Sequence, residues 1–439
     1  MPRDCLVEFC ATFGLTRGLA SQRAGDNPRC MSYRTLRVVL LVWFGTAIVN
    51  AADFRWVATW ATAPQLVEPG NLPPTPGFSD CTLRQKLRVS IGGQKIRLRF
   101  SNAFGNAPLT IEAGQVALGA DGAAIRPETS RLLAFNGVAA VTIQPGAMVI
   151  SDPVDLELSP MADLAVTLHT KNAPDDITGH PGSRTTSYLA HGGEAVDATD
   201  LPGAARADHW YFLTGVDVFT DRPAAAIAIL GDSITDGRGS TTNGNDRWPD
   251  QLSRRLRTNP KTENLSVLNL GIGGGRVLRQ GLGPSGLARL DRDIIAQPGV
   301  RWLVIFEGVN DLGTAVGARA KGEPENGATA ADLIAAFEQI ILRAHDHDIR
   351  VYGATITPFA GFKSYDTPAS EADRQAVNRW IRTSGKFDGV IDFDALARDP
   401  KNPLHLAPGI DGGDHLHPSA GGYKIMAEGV DLGLFTTGK

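Results

Sequence analysis

The sequence predicts two folded parts in one chain: an antiparallel β-rich part, then an α/β part built on a parallel sheet. Three observations carry this. From Phe54 to about Phe219 apolar residues recur with a period of two, interrupted by clusters of Gly, Pro, Asn and Asp. After Asp221-Arg222-Pro223 the rhythm changes to short apolar runs alternating with helix-like stretches. Finally, 439 residues exceed one ordinary domain, and 49 glycines with 27 prolines suit a turn-rich portion better than a helical bundle. The expected division is 1–51 as a leader, 52–220 as a β-sandwich or jelly-roll-like domain, and 221–439 as the α/β domain.

The leader is read from its layout. Met31-Ser-Tyr-Arg-Thr-Leu-Arg carries two arginines. Val38 to Val49 is then an apolar run too short to span a bilayer. Val49-Asn50-Ala51 places small residues where a signal peptidase requires them. A secreted or periplasmic protein with a mature chain from about Ala52 is expected, without a stable membrane span. Residues 1–30 lack this logic, which fits initiation at Met31, an extended n-region being the other reading. Cys5, Cys10 and Cys30 precede the cleavage point, so the mature chain keeps Cys81 alone. That excludes an intrachain disulfide and a cysteine metal site.

In the β-rich part, Leu87, Val89 and Ile91 alternate with Arg88 and Ser90, and Ile96, Leu98 and Phe100 alternate with Arg97 and Arg99. Gly92-Gly93 between them predicts a hairpin. Further strands are expected at 138–143, 164–170 and 211–219. In the α/β part, strand-like runs at 226–230, 266–270, 302–306, 349–354 and 387–393 alternate with helices. The clearest helix is 330–344, with Leu333, Phe337, Ile340, Ile341 and Ala344 on one face and a Thr329/Asp332 capping box. Another is expected over 371–383, capped by Ser370 with Asp373. Segments 312–327 and 358–368, rich in Gly, Pro and polar residues, are expected to be loops on the substrate side.

The chemistry centres on Ala226–Gly237, AIAILGDSITDG. An apolar run ends at Gly231, and Ser233 follows where a strand breaks, ahead of an expected helix whose first amides would point at an anionic oxygen. This is not the G-x-S-x-G elbow, since Thr235 stands at the second glycine. Downstream lie NLGIGGG at 269–275, GVND at 308–311 and DHLHP at 414–418. With these four blocks in order, the chain resembles the SGNH (GDSL) hydrolases, whose signature blocks centre on Ser, Gly, Asn and His. Trp56–Gln65, WVATWATAPQ, is more loosely similar to the N-terminal portion of two-domain members.

The resemblance implies a three-layer αβα, flavodoxin-like parallel sheet and a serine esterase that needs no cofactor or metal. A serine hydroxyl is too weak an acid to attack an ester unaided, so a base must take its proton. The resemblance assigns Ser233 as nucleophile, His417 as base and Asp414 as its orienting carboxylate. It assigns the backbone N–H groups of Ser233 and Gly274 and the amide of Asn310 to the oxyanion hole. Spacing alone leaves Gly273, Gly274 and Gly275 open as the glycine donor, and alignment on Asn269 favours Gly274. Gly275 departs from the asparagine often found there. His415 is the rival base.

Other clusters read more simply as structure. His345-Asp346-His347-Asp348 suits a solvated helix end, and Asp392 and Asp394 a strand end and turn. Asp411, Asp414, His415 and His417 lack a zinc-site spacing. Arg238 and Arg276 adjoin the signature blocks and are candidates to touch substrate. A net charge of −4 offers no footprint for nucleic acid. The expected substrate is a small-molecule or polysaccharide ester with a short acyl group, carbohydrate O-acetyl esters included. A lipase or lysophospholipase, or an inactive polysaccharide-binding protein, are the alternatives.

Overall fold

The strand run at Ala225–Gly231 is apolar throughout because both of its faces are buried. Ala226, Ala228 and Leu230 join one core, while Ile227 and Ile229 join another on the opposite face. The computed structural model describes residues 55–322 and 327–436. The leader expected over 1–51, with Met31 and Ala52, lies outside the described residues.

Strands Ala225–Gly231, Leu265–Gly271, Val300–Phe306, Arg350–Ala354 and Gly389–Ile391 form one all-parallel sheet. Its spatial order is second, first, third, fourth, fifth, the doubly wound order in which a crevice opens where the winding reverses. Helices Trp248–Arg257 and Ala420–Glu428 cover one face through Trp248, Leu252, Tyr423 and Met426. Helix Ala330–His345 covers the other through Leu333, Phe337 and Ile340, and it begins with the expected Thr329/Asp332 capping box. The five expected strands and the αβα layering are all present.

Besides a small antiparallel sheet made of Gln65–Leu66, Thr178–His180 and Trp210–Tyr211, the β-rich part holds two large antiparallel sheets. One contains Arg55–Ala61, Leu213–Thr220, Gly93–Ser101, Met148–Ile150 and Val154–Leu158. The other runs through Ala205–Ala207, Ser187–His191, Cys81–Arg88, Asp163–Asn172 and Leu109–Leu118. Inward residues such as Leu83, Val166 and Leu168 share one core with Ile96, Leu98, Val216 and Val218. Cys81 is buried there, and burial pushes its thiol up to about 12.

Three expectations are corrected. The runs on either side of Gly92-Gly93 do not form a hairpin, because they lie in different sheets. The crossing falls between Val89, whose N–H donates to Ala162 O, and Ser90, whose N–H donates to Thr59 O. Period-two patterning reports which face is buried, not which strand is the neighbour. Segment 312–327 is not a loop throughout, since Val309–Ala320 is helical. The cap of helix Pro368–Thr383 is Thr367 with Ser370, not Ser370 with Asp373.

The two parts are stitched together directly. Ser266 Oγ donates to Ala58 O (2.6 Å) and Ser90 Oγ to Val267 O (3.0 Å). Arg99 donates to Gln297 (2.5 Å) and Arg292 to Pro64 O (3.0 Å). The described residues accordingly pack as one unit.

Candidate active site

Ser233 begins a single helical turn, Ser233–Asp236, at the carboxyl end of strand Ala225–Gly231. Asp232 caps that turn through Ile234 N–H (2.9 Å). The turn sits so close to the sheet that a Cβ on Gly271 would fall 2.5 Å from Asp236 N.

Ser233 Oγ lies 2.8 Å from His417 Nε2, and His417 Nδ1 lies 2.7 Å from Asp414 Oδ2. Asp414 Oδ1 also accepts the His417 N–H (2.8 Å) and the Leu416 N–H (3.0 Å). Burial works against ionising Asp414, but these bonds and the His417 ring outweigh it, leaving the carboxyl below its ordinary value. An ionised carboxylate only accepts, so the ring proton sits on Nδ1 and the Nε2 lone pair faces the serine hydroxyl. Burial of the ring holds His417 below the usual histidine value despite Asp414.

Across the crevice, Gly274 adopts φ +66°, a left-handed conformation that favours glycine. The N–H groups of Ser233 and Gly274 have no acceptor among the described residues. Asn310 opens the helix after strand Val300–Phe306. Its Nδ2 donates to Gly275 O (2.9 Å), leaving the second amide hydrogen uncommitted, and its Oδ1 accepts from Tyr365 OH (2.8 Å). Asp311 accepts from Val277 N–H (2.9 Å) and Leu278 N–H (3.0 Å), tying the glycine loop to the same helix. Burial raises Asp311 to about 6.

The structure thus brings Ser233, Asp414 and His417 together, and places Gly274 and Asn310 on one glycine-loop wall. His415 is turned to Asp411 (Nδ1 to Oδ2, 2.7 Å) and has no bond to Ser233. His345 pairs with Asp388 (2.8 Å), away from the crevice. Asp392 caps helix Phe393–Ala397, and Asp394 is buried between Arg374 and Arg382.

This geometry has a sequence counterpart. Residues 229–425 match the model of the GDSL-like Lipase/Acylhydrolase family. The α/β part is a GDSL-like lipase/acylhydrolase domain. Such a domain is a carboxylic ester hydrolase. Solved structures similar to the chain include an acetyl xylan esterase from Geobacillus stearothermophilus, at 22% identity over 46% of this chain and 91% of that one (TM-score 0.36). A lipase/acylhydrolase from Enterococcus faecalis matches at 20% over 47% and 92% (TM-score 0.35). A GDSL-like lipase from Bacteroides thetaiotaomicron matches at 19% over 48% and 87% (TM-score 0.35). No curated protein matches the chain.

Several residues of the hydrolase domain's site escape a sequence reading. Tyr365 reaches Asn310 because Gly313, one turn after it, leaves space for the ring: a Cβ there would collide with the tyrosine. Arg289 donates to Leu270 O (2.5 Å) and Gly231 O (3.0 Å), clamping the ends of two neighbouring strands beneath the site. Its charge faces Asp293 (3.4 Å) and Glu307 (3.5 Å), and burial raises Glu307 to about 7. His180, from the β-rich part, bonds Asp236 Oδ1 through Nε2 (2.8 Å) and Ala63 O through Nδ1 (2.9 Å). Both members of that pair are buried. Apart from Asp293, four residues on from Arg289, these partners are distant in sequence, so no local pattern announces them.

Proposed function

We propose that this chain is a serine esterase working through an acyl-enzyme, with Ser233 as nucleophile. The observation that carries the reading is the continuous bonded series Ser233–His417–Asp414, 2.8 and 2.7 Å. In this reading Nε2 of His417 takes the Ser233 proton as Oγ adds to the ester carbonyl. The charge that develops on the carbonyl oxygen is met by the N–H groups of Ser233 and Gly274 and by the Asn310 amide. The C–O bond to the alcohol then breaks, and His417 returns the proton to the departing oxygen. Water repeats the cycle on the acyl-enzyme and releases the acid. Asp414 holds the Nδ1 tautomer and balances the imidazolium charge.

Ser233 and His417 are each only 8% exposed, and the reading favours short acyl groups. Initial rates on p-nitrophenyl esters of increasing chain length test this; a maximum at long chains would move the reading to a lipase. Ser233→Ala should abolish turnover of p-nitrophenyl acetate, and substantial residual turnover would overturn the nucleophile assignment. The apolar run Val38–Val49 after two arginines supports export. N-terminal sequencing of protein recovered outside the cytoplasm should begin near Ala52.

A further inference from the structure

The ester's two halves lie on different sides of Ser233. Because His417 must hand its proton to the departing oxygen, whatever flanks His417 faces the alcohol half. The glycine loop and Asn310 face the carbonyl oxygen.

Two arginines stand in segments packed beside the Ser233 turn and His417. Arg238 follows the Ser233 turn: its N–H donates to Ser233 O (2.9 Å), and its own carbonyl accepts from Tyr423 OH (2.6 Å). The next residue, Gly239, lies against the carbonyl of Pro418, beside His417. Arg184 comes from the β-rich part. Its loop is pressed onto the Ser233 turn, since a Cβ on Gly182 would collide with the Asp236 carboxylate. The positive charges of both arginines oppose protonation of His417.

Neither guanidinium has a hydrogen bond or ion pair among the described residues, and Arg184 Nε is buried without a partner. Neighbouring arginines are answered: Arg247 by Asp250 (2.6 Å), and Arg292 by Asp293 (2.6 Å). Arg276, on the glycine-loop side, also has a buried Nε without a partner, but its charge is felt by the buried carboxyl of Asp311. Arg184 is also held at φ +51°, a left-handed backbone rare outside glycine. The conformation is pinned by Asn243, itself at φ +62°, whose N–H donates to Arg184 O (2.8 Å). Asn243 Oδ1 in turn accepts from Thr186 N–H (2.9 Å). Strain of this kind persists where the surroundings over-determine it, and it clusters at ligand sites. Arg184, only partly exposed, is likewise a cation whose lack of a partner is costly unless a ligand answers it, while Arg238 is exposed and free to reach a ligand.

We propose that Arg184 and Arg238 form an anion subsite for the alcohol half of the substrate, so that the preferred substrates are O-acyl esters of hydroxy acids, acidic sugars included. The subsite explains what the β-rich part supplies: one of its two cations. It rests on the serine-esterase reading above, because that reading decides which side of Ser233 is the leaving side.

The test compares kcat/KM for p-acetoxybenzoate and its neutral isostere p-acetoxybenzamide. The full-length protein should prefer the carboxylate by about tenfold, as a charge-assisted contact implies, and the preference should shrink as salt rises. Arg184→Gln and Arg238→Gln should each lower the ratio several-fold, and the double variant should bring it to about one. Arg184→Gly separates this role from a structural one. Glycine relieves the left-handed backbone and should raise the melting temperature while still lowering the ratio. A ratio near one in the unmodified protein, or one that survives the double variant, overturns the subsite and leaves the esterase standing. Absence of any Ser233-dependent turnover overturns both.

Discussion

Two histidine–aspartate pairs bracket Ser233, and they are built from the same side chains to opposite effect. At the rim of the crevice, His417 bonds Asp414 through Nδ1 and the Ser233 hydroxyl through Nε2. Beneath it, His180 bonds Asp236 through Nε2 and the Ala63 carbonyl through Nδ1. A carbonyl only accepts, so His180 Nδ1 donates to Ala63 O, and Nε2 is already engaged by the Asp236 carboxyl. That pair has no vacancy for a substrate proton. His417 has one, because its second neighbour is a hydroxyl with a proton to give. Reactivity is therefore set less by the His–Asp contact than by what the other ring nitrogen touches.

The largest expected effect breaks the rim pair. His417→Ala should lower kcat for p-nitrophenyl acetate by on the order of 10⁴-fold or more, with the urea midpoint moved little. A residual rate within about a hundredfold of the unmodified protein would reject His417 as base. Next comes the oxyanion side: Asn310→Ala should cost on the order of 10²–10³ in kcat. Tyr365→Phe keeps the ring but removes the bond to Asn310 Oδ1, and should cost less than Asn310→Ala. An equal or larger loss would mean that Tyr365 meets the substrate itself.

The buried pair should respond in the other coordinate. His180→Ala leaves the Asp236 carboxylate without its partner in a site only 2% exposed, at a cost of about 3 kcal/mol. Chemical denaturation should register that loss, whereas kcat at permissive temperature should fall by less than about tenfold. A collapse of kcat with unchanged stability would erase the distinction between the two pairs.

The contrast also marks what a sequence can reveal. Ser233, Asn310, Asp414 and His417, the residues proposed for the site, stand in short recognisable blocks, so spacing exposes them. The parallel strands are legible for a related reason: burial on both faces makes each an unbroken apolar run. His180 and Asp236 are 56 positions apart, and each alone is an unremarkable polar residue. Arg184 is hidden likewise, its importance arising from a loop folding back onto a distant turn. Helix Val309–Ala320 was masked by Gly313 and Gly317, which weaken helix propensity. Gly313 is there to admit Tyr365, so the residue that disguised the helix serves the site.

Acidity sharpens the comparison further. The base must be neutral, so activity is lost as pH falls through the His417 pKa. Burial sets that pKa below the usual histidine value of about 6.5, with Arg238 and Arg184 adding to the shift against the opposing pull of Asp414. The acid limb of kcat/KM should therefore lie below pH ~6.5, and Arg238→Gln should move it upward. An inflection above that value in the unmodified protein would contradict the burial argument.

The smallest effect is expected at the third histidine of this neighbourhood. His415 sits two residues from His417, also bonds an aspartate through Nδ1, and is 51% exposed at its side chain. By residue type and partner it resembles His417; by its second neighbour it does not. It has no bond to Ser233, and its ring lies against Gly361, where a Cβ would come within 3.0 Å. If the second neighbour decides reactivity, His415→Ala should change kcat by no more than about twofold, since a mostly exposed pair contributes little even to stability. A loss above tenfold, with the melting temperature unchanged, would show that an aspartate-bound histidine beside the crevice participates without touching the serine, and the rule drawn from the other two pairs would fail.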